Sequence, residues 1–327
     1  MSFHYYSYGI RCAHWLLARI SLFQSVCMLL WLGERAYHET EPPIHPWMVY
    51  AYIGSGLIAS TGITSRFLTR LSLTIILLSQ LYIAYVFCLE KRLGYSKCIR
   101  ARIGLRCLTA IGVYFRLLGL NAYNDRDDKL KQTELHNNDH HIDQLHKIKS
   151  NTTSVYAFGL TIMSVSLCLL SIFCIPVELF QLDKDVQLTE ISSTVILSMD
   201  SCLSKLLSVI LGICLFTSSI IYSIPVIIHD RFFPNNTFSY KNYLFRFADY
   251  LIGFSFLLIS LIRDCNFNYW HIKGCEFWLE IYVLLENATI LLGIFVINNL
   301  LTSNDVSSID EKSSKTLKAN CKPFKSQ

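Results

Sequence analysis

The sequence predicts an all-α integral membrane protein of about eight transmembrane helices, and three observations carry that reading. Only 16% of the 327 residues are charged, whereas soluble domains are about a quarter charged. Mean hydropathy is +0.38. Several apolar runs reach the roughly 20 residues that a helix needs to cross a bilayer. In such a chain a net charge of +5 is a matter of loops and topology, not an electrostatic footprint for nucleic acid. The partner that composition implies is the lipid bilayer.

The first helix runs from about Trp15 to Leu32 and closes on Gly33-Glu34-Arg35-Ala36. Its N-terminal flank lacks the basic–apolar–small pattern of a cleaved leader, so it reads as a retained signal anchor. Arg19 is near enough to its end to snorkel. Pro42, Pro43 and Pro46 then enforce an extended connection. The second helix, Trp47 to about Thr64, carries Gly54, Gly56, Ala59, Ser60 and Gly62. Small residues at four-residue spacing let helix backbones approach closely in lipid. The third helix, Leu71 to Leu89, holds Gln80 near its middle. The fourth, Ile103 to Leu120, carries Arg102, Arg106 and Arg116. It spans only if those cations snorkel or meet protein partners.

The stretch from Asn121 to Asn151 is strongly polar and divides the chain. The expected organisation is a four-helix unit over 1–120, a polar linker over 121–152, a second four-helix unit over 153–301 and a disordered tail over 302–327. His136 and His140 stand four residues apart, a helical chelating spacing, but the surrounding Asn and mixed charge favour a solvated linker. The fifth helix is Val155 to Val177, the sixth Leu206 to Ile228 and the seventh Phe247 to Ile262, closed by Arg263-Asp264. The intervening ISSTVILSM is too short to span. The eighth runs from Trp278 to Leu301. Even parity puts both termini on one side. That side carries 16 Lys and Arg against 10 on the other, which favours cytoplasmic termini in an endomembrane or the plasma membrane.

The 12 Cys are scattered without a C-x-x-C pair, so they read as small packing residues and not as a zinc or redox motif. Cys265 and Cys275 flank the last loop and can bridge if it is lumenal. No G-x-S-x-G, H-E-x-x-H or phosphate-binding glycine loop occurs, so no enzyme, metal or cofactor is indicated.

The sharpest candidate is Glu286, isolated in the apolar run from Ile281 to Ile297. A carboxylate inside the membrane is costly and is a functional hypothesis by default. Proton relay, cation ligand and structural ion pair are all open. Pairing comes first, with Arg19, Arg106, Arg116 and His271 as the candidate partners. The proposed ligand or proton site is Glu286 and Asn287 with His271, Tyr269 and Trp270 at the helix entrance. Trp270, Trp278, Tyr269 and Tyr282 read as an interfacial aromatic girdle around His271. Glu276 and Glu280, one turn apart, suit the positive end of the helix.

The sequence Tyr269-Trp270-His271, Glu276-Phe277-Trp278, Leu284 and Glu286 resembles the C-terminal signature of the transmembrane protein 101 family. Glu34-Arg35-Ala36 and the arginines Arg100, Arg102 and Arg106 agree with it. The similarity covers most of the chain at low identity. It implies a non-enzymatic multi-pass membrane protein that modulates signalling, NF-kappa-B activation being the family's description, with membrane or signalling proteins as partners. It assigns no catalytic residues. A weaker resemblance, carried by GLIASTGITSRFLTRLSLTIILL, is to DoxX-like four-helix membrane units. It implies two tandem bundles and, as an alternative to a signalling role, a membrane oxidoreductase subunit. A small-molecule or proton-coupled transporter using Glu286 is the other alternative.

Overall fold

The computed structural model describes residues 2–36, 44–63, 68–89, 93–134, 139–174, 201–228, 238–265, 270–271 and 274–320. Those residues contain no strand. They form α1 (Ser2–Ala36), α2 (Pro46–Gly62), α3 (Thr69–Leu89), α4 (Lys97–Glu134), α5 (Asp139–Cys174), α6 (Ser201–Ile228), α7 (Phe238–Ile259) and α8 (Phe277–Asn320), with a π-helical turn at Ser260–Asp264. Five segments are long and apolar enough to cross a bilayer: Trp15–Ala36, Thr69–Leu89, Ile99–Ala122, Ser154–Ile172 and Phe277–Thr302.

Element positions follow local chemistry. Pro46 starts α2 behind an extended His45, because proline has no N–H to lose at the first helical position. Gly274, at φ 69°, makes the reversal that admits α8. Its N–H donates to the His271 carbonyl at 3.0 Å, and the Cys275 N–H to that of Trp270 at 3.1 Å. A residue with a Cβ is strained in this left-handed conformation.

Consecutive helices pack side by side from α1 through α7, and α8 then packs against α1, α4 and α7. One contiguous buried cluster runs from Ala13 to Ile297. The two expected four-helix units therefore share a core: α8 lies against α1 and α4 of the first half, and α5 lies against α4. The α4–α5 contact is close enough to require glycine. A Cβ on Gly119 would lie 2.9 Å from the Tyr156 backbone, and one on Gly159 2.8 Å from the Arg116 nitrogen and the Gly112 carbonyl. In α2, Gly56 and Gly62 similarly admit Ser25 and Ser72, whereas Gly54 has nothing within 4 Å.

Two boundaries differ from expectation. Backbone within the supposed linker is helical, residues 121–134 extending α4 and residues 139–152 beginning α5. The tail is helical to Asn320. In the sequence, acids stand four residues before bases there (Asp125 and Lys129, Asp127 and Lys131, Asp143 and Lys147, Glu311 and Lys315), a spacing that favours helix. The ISSTVILSM run and His136 fall outside the described residues.

Candidate functional site

Glu276 just before α8, and Glu280, Glu286, Asn287 and Thr289 in its first half, bring polar side chains into the protein. At 1.5 Å rise per residue, Glu286 lies roughly 13 Å along the axis from the start of α8. Glu280, Glu286 and Asn287 are 2%, 1% and 1% exposed, so each meets protein and not lipid.

Glu286 sits in a hydrogen-bonded centre drawn from four helices. The Tyr282 hydroxyl, one turn before it on α8, lies 2.7 Å from Glu286 Oε1. That hydroxyl is also 3.4 Å from Gln80 Oε1 on α3. Gln80 Nε2 donates to Gln24 Oε1 on α1 at 3.2 Å, and Gln24 Nε2 to Thr289 Oγ1 on α8 at 3.2 Å. Cys107 Sγ of α4 approaches Glu286 Oε1 at 3.9 Å. The second carboxylate oxygen, Oε2, has no hydrogen-bond partner among the described residues. A serine-lined crevice (Ser21, Ser25, Ser55, Ser79) between α1, α2 and α3 ends on Gln80 and is too narrow to seat a water molecule.

A second centre abuts the first. Arg106 of α4 pairs with Asp264 of the π turn, at 2.9 Å from Nη1 to Oδ2 and 3.2 Å from Nη2 to Oδ1. Asn287 Nδ2 donates to Asp264 Oδ2 at 2.6 Å and to Ser260 Oγ at 2.8 Å. The π turn widens the end of α7 and carries both Ser260 and Asp264; single π turns inside helices recur at functional sites.

A third centre joins α4, α5, α6 and α7. Arg116 forms a two-pronged pair with Asp249, at 2.7 and 3.0 Å. The Tyr222 hydroxyl donates to Asp249. Arg116 also donates to the Tyr156 hydroxyl at 3.2 Å, and its guanidinium lies over both tyrosine rings. Both Arg116 and Asp249 are fully enclosed, with side chains 0% exposed.

At the α8 entrance a clasp ties the last helix to the first. Arg35 pairs with Glu276 at 3.7 Å and donates to the Leu93 carbonyl at 2.6 Å. Trp31 Nε1 donates to the Tyr95 hydroxyl at 3.0 Å and to Glu276 Oε2 at 3.3 Å. Tyr95 itself donates to Glu276. The Trp278 N–H points at Glu34 at 3.5 Å. Burial first, then the adjacent Glu276 carboxylate, push the Tyr95 phenol above its usual range. Burial likewise pushes the Cys275 thiol up to about 12, helped by Glu276 and Glu280.

The structure separates the residues that the sequence grouped. Glu286 and Asn287 are neighbours on α8 but face different centres. His271 is exposed and Trp270 fully buried; Tyr269 lies outside the described residues. Tyr282 is not part of an interfacial girdle: it stacks on Phe87 at 6.4 Å and serves Glu286. None of the four expected cations forms an ion pair with Glu286 among the described residues. Arg106 and Arg116 pair with Asp264 and Asp249, and Arg19 lies over the Trp15 ring at 5.3 Å. Cys265 and Cys275 are free, the first exposed and the second buried. Among the described residues no group of three His, Cys, Asp or Glu side chains is arranged to hold a metal.

Sequence reasoning missed the roles of Asp264, Cys107 and Thr289. The lone amides Gln24 and Gln80 inside apolar runs were the available signal. The residues behind the family resemblance do meet in space, since Glu34 and Arg35 reach Trp278 and Glu276.

Fold and site together define a helical membrane-embedded protein with ionisable groups gathered in its interior. No family model matches the chain, and no curated protein or solved structure gives a significant match.

Proposed function

We propose that this chain is a proton-coupled membrane transporter whose proton-carrying group is Glu286. One observation supports the reading above the others: Glu286 is buried in a bilayer-spanning helix with one carboxylate oxygen held by Tyr282 and the other without a partner among the described residues. Of the cations expected to neutralise it, Arg106 and Arg116 hold other carboxylates, Arg19 lies over Trp15, and His271 is exposed. A proton on Oε2 removes the buried charge, the outcome that membrane burial favours. The amides, hydroxyls and thiol around it bring no compensating cation, and the crevice beside Gln80 is too narrow for a hydrated ion. On this reading all eight α-helices cross or enter the membrane, and both termini are cytoplasmic.

The test uses the purified full chain in sealed vesicles containing a pH-reporting dye. Under an imposed potential, wild type acidifies or alkalinises the lumen according to the sign, and Glu286→Gln loses that flux while keeping its thermal stability. Flux retained in Glu286→Gln removes the reading. Asn235-Asn236-Thr237 is a glycosylation sequon in the connection between α6 and α7, which this reading puts on the same side as the termini, so glycan on Asn235 would reverse the topology.

A second reading is a non-enzymatic scaffold that modulates signalling through membrane or signalling proteins. Its support is the resemblance itself, together with the convergence of the residues that carry it in the Arg35–Glu276 clasp. It predicts that deleting residues 302–327 affects signalling more than Glu286→Gln does, measured with an NF-kappa-B reporter in cells.

A further inference from the structure

The Glu286 centre and the Arg106–Asp264 centre occupy adjacent positions on the same two helices. On α4, Arg106 and Cys107 are consecutive; on α8, Glu286 and Asn287 are consecutive. Cys107 touches Glu286, while Arg106 and Asn287 both hold Asp264. Arg106 also acts electrostatically on Glu286, and its Nε has no hydrogen-bond partner among the described residues. One fully buried guanidinium thus holds one carboxylate and belongs to the residue next to Cys107, which touches a second whose Oε2 has no partner among the described residues.

We infer that Arg106 is a shared counter-ion, paired with Asp264 while Glu286 carries a proton and drawn to Glu286 when that proton leaves. This rests on the proton-carrying role proposed for Glu286. The exchange balances simply. The Glu286 O–H bond breaks, the proton passes to the aqueous phase, and the new carboxylate competes for the positive charge already present. A buried arginine cannot give up its own proton instead, since its guanidinium stays charged in proteins.

The same step acts on the π turn. Asp264 and Ser260 are its two ends. With Arg106 withdrawn, Asp264 keeps the Asn287 amide, and the buried Glu280 carboxylate opposes it. The groups facing Glu286 are Tyr282 of α8, Arg106, Cys107 and Tyr114 of α4, Gln80 of α3 and Tyr52 of α2. Those facing Asp264 are Arg106, Asn287 and Glu280. Arg106 is common to both sets. Loss of one proton in the middle of the membrane thereby loosens the junction that ends α7. A two-state element biased from a distant site is what coupling requires.

Two measurements on the full chain in lipid nanodiscs test this. Infrared difference spectra between acidic and alkaline pH report the carboxylic-acid carbonyl band of Glu286, identified by its loss in Glu286→Gln. Amide hydrogen exchange of residues 260–265, corrected for its intrinsic pH dependence, reports the π turn. In wild type, exchange there rises on the order of tenfold as the band disappears, within the usual range of coupling between sites. Glu286→Gln, which mimics the protonated acid, stays protected at every pH. Glu286→Asp restores the pH response. If the band titrates but the π turn does not respond, the shared counter-ion is wrong and the proton-carrying role stands. A pH response undiminished in Glu286→Gln also overturns it. If no band titrates, both the proton-carrying role and the exchange fall.

Discussion

Arg116 and Glu286 are equally buried and differ in how completely they are answered. Arg116 has its charge matched by a two-pronged carboxylate, two tyrosine hydroxyls and two aromatic faces, with Nε left without a hydrogen-bond partner among the described residues. Glu286 has a tyrosine, a distant thiol and an empty oxygen. A closed network favours one arrangement of its helices, because any other leaves buried charge without a partner. An open one leaves room for a change of state. On this contrast, the α4–α5–α6–α7 side of the bundle carries a charge-matched centre and the α1–α3–α4–α8 side an unmatched one.

The largest effect expected from breaking this comparison is at the charge-matched centre. Asp249→Asn leaves Arg116 buried without its counter-charge and should cost about 3–5 kcal/mol, enough to prevent recovery of folded protein. Monodisperse yield on size exclusion in detergent is the readout. Recovery at the wild-type level would dissolve the contrast.

Next comes Gly159→Ala. Its new Cβ meets Arg116 and Gly112 backbone atoms at 2.8 Å. Backbone cannot rotate away as a side chain can, so we expect about 1–3 kcal/mol of destabilisation from forced overpacking. Gly54→Ala, with open space around it, is the control and should leave the melting temperature unchanged.

Glu286→Gln should be smaller still, within about 1 kcal/mol of wild type, because the amide keeps the shape and needs no counter-ion. A loss as large as that of Asp249→Asn would make Glu286 structural after all. The smallest effect is chemical. Because Cys275 is held neutral up to about 12, alkylation at mildly alkaline pH should mark exposed Cys265 and spare Cys275, as read by mass spectrometry. The sign for stability follows from the same shift. The folded thiol holds its proton where an unfolded one, at the ordinary value of 9.0, has lost it. The contribution is therefore full below about pH 9 and declines as pH rises toward 12.

The helices were legible because uninterrupted apolar runs need no long-range information; the Trp47–Thr64, Leu71–Leu89 and Trp278–Leu301 expectations coincide closely with α2, α3 and the apolar part of α8. The site was legible one residue at a time. Glu286 is conspicuous because nothing near it in sequence is charged. Its neighbours were not legible, because Gln80 and Cys107 come from other helices, and the partners of Arg106 and Arg116 lie 158 and 133 residues away. Spacing along the chain carries no trace of such pairs. Composition also misled in the polar segments. Asp125 to Lys131 looks like solvated linker, yet its acids and bases fall at helical spacing and the backbone there is helix.

The position of α8 has a consequence for how the protein is made. It follows α1, α4 and α7 in the chain, and it is the helix against which all three close. Until it arrives, Asp264 lacks the Asn287 amide, Gln24 lacks Thr289, and Gln80 lacks the Tyr282 hydroxyl. A chain stopped before Phe277 thus keeps the Arg106–Asp264 and Arg116–Asp249 pairs but leaves Gln24 and Asp264 without the hydroxyl and amide partners that α8 brings. Docking of α8 is therefore the step that completes the polar interior begun by α1, α3 and the π turn.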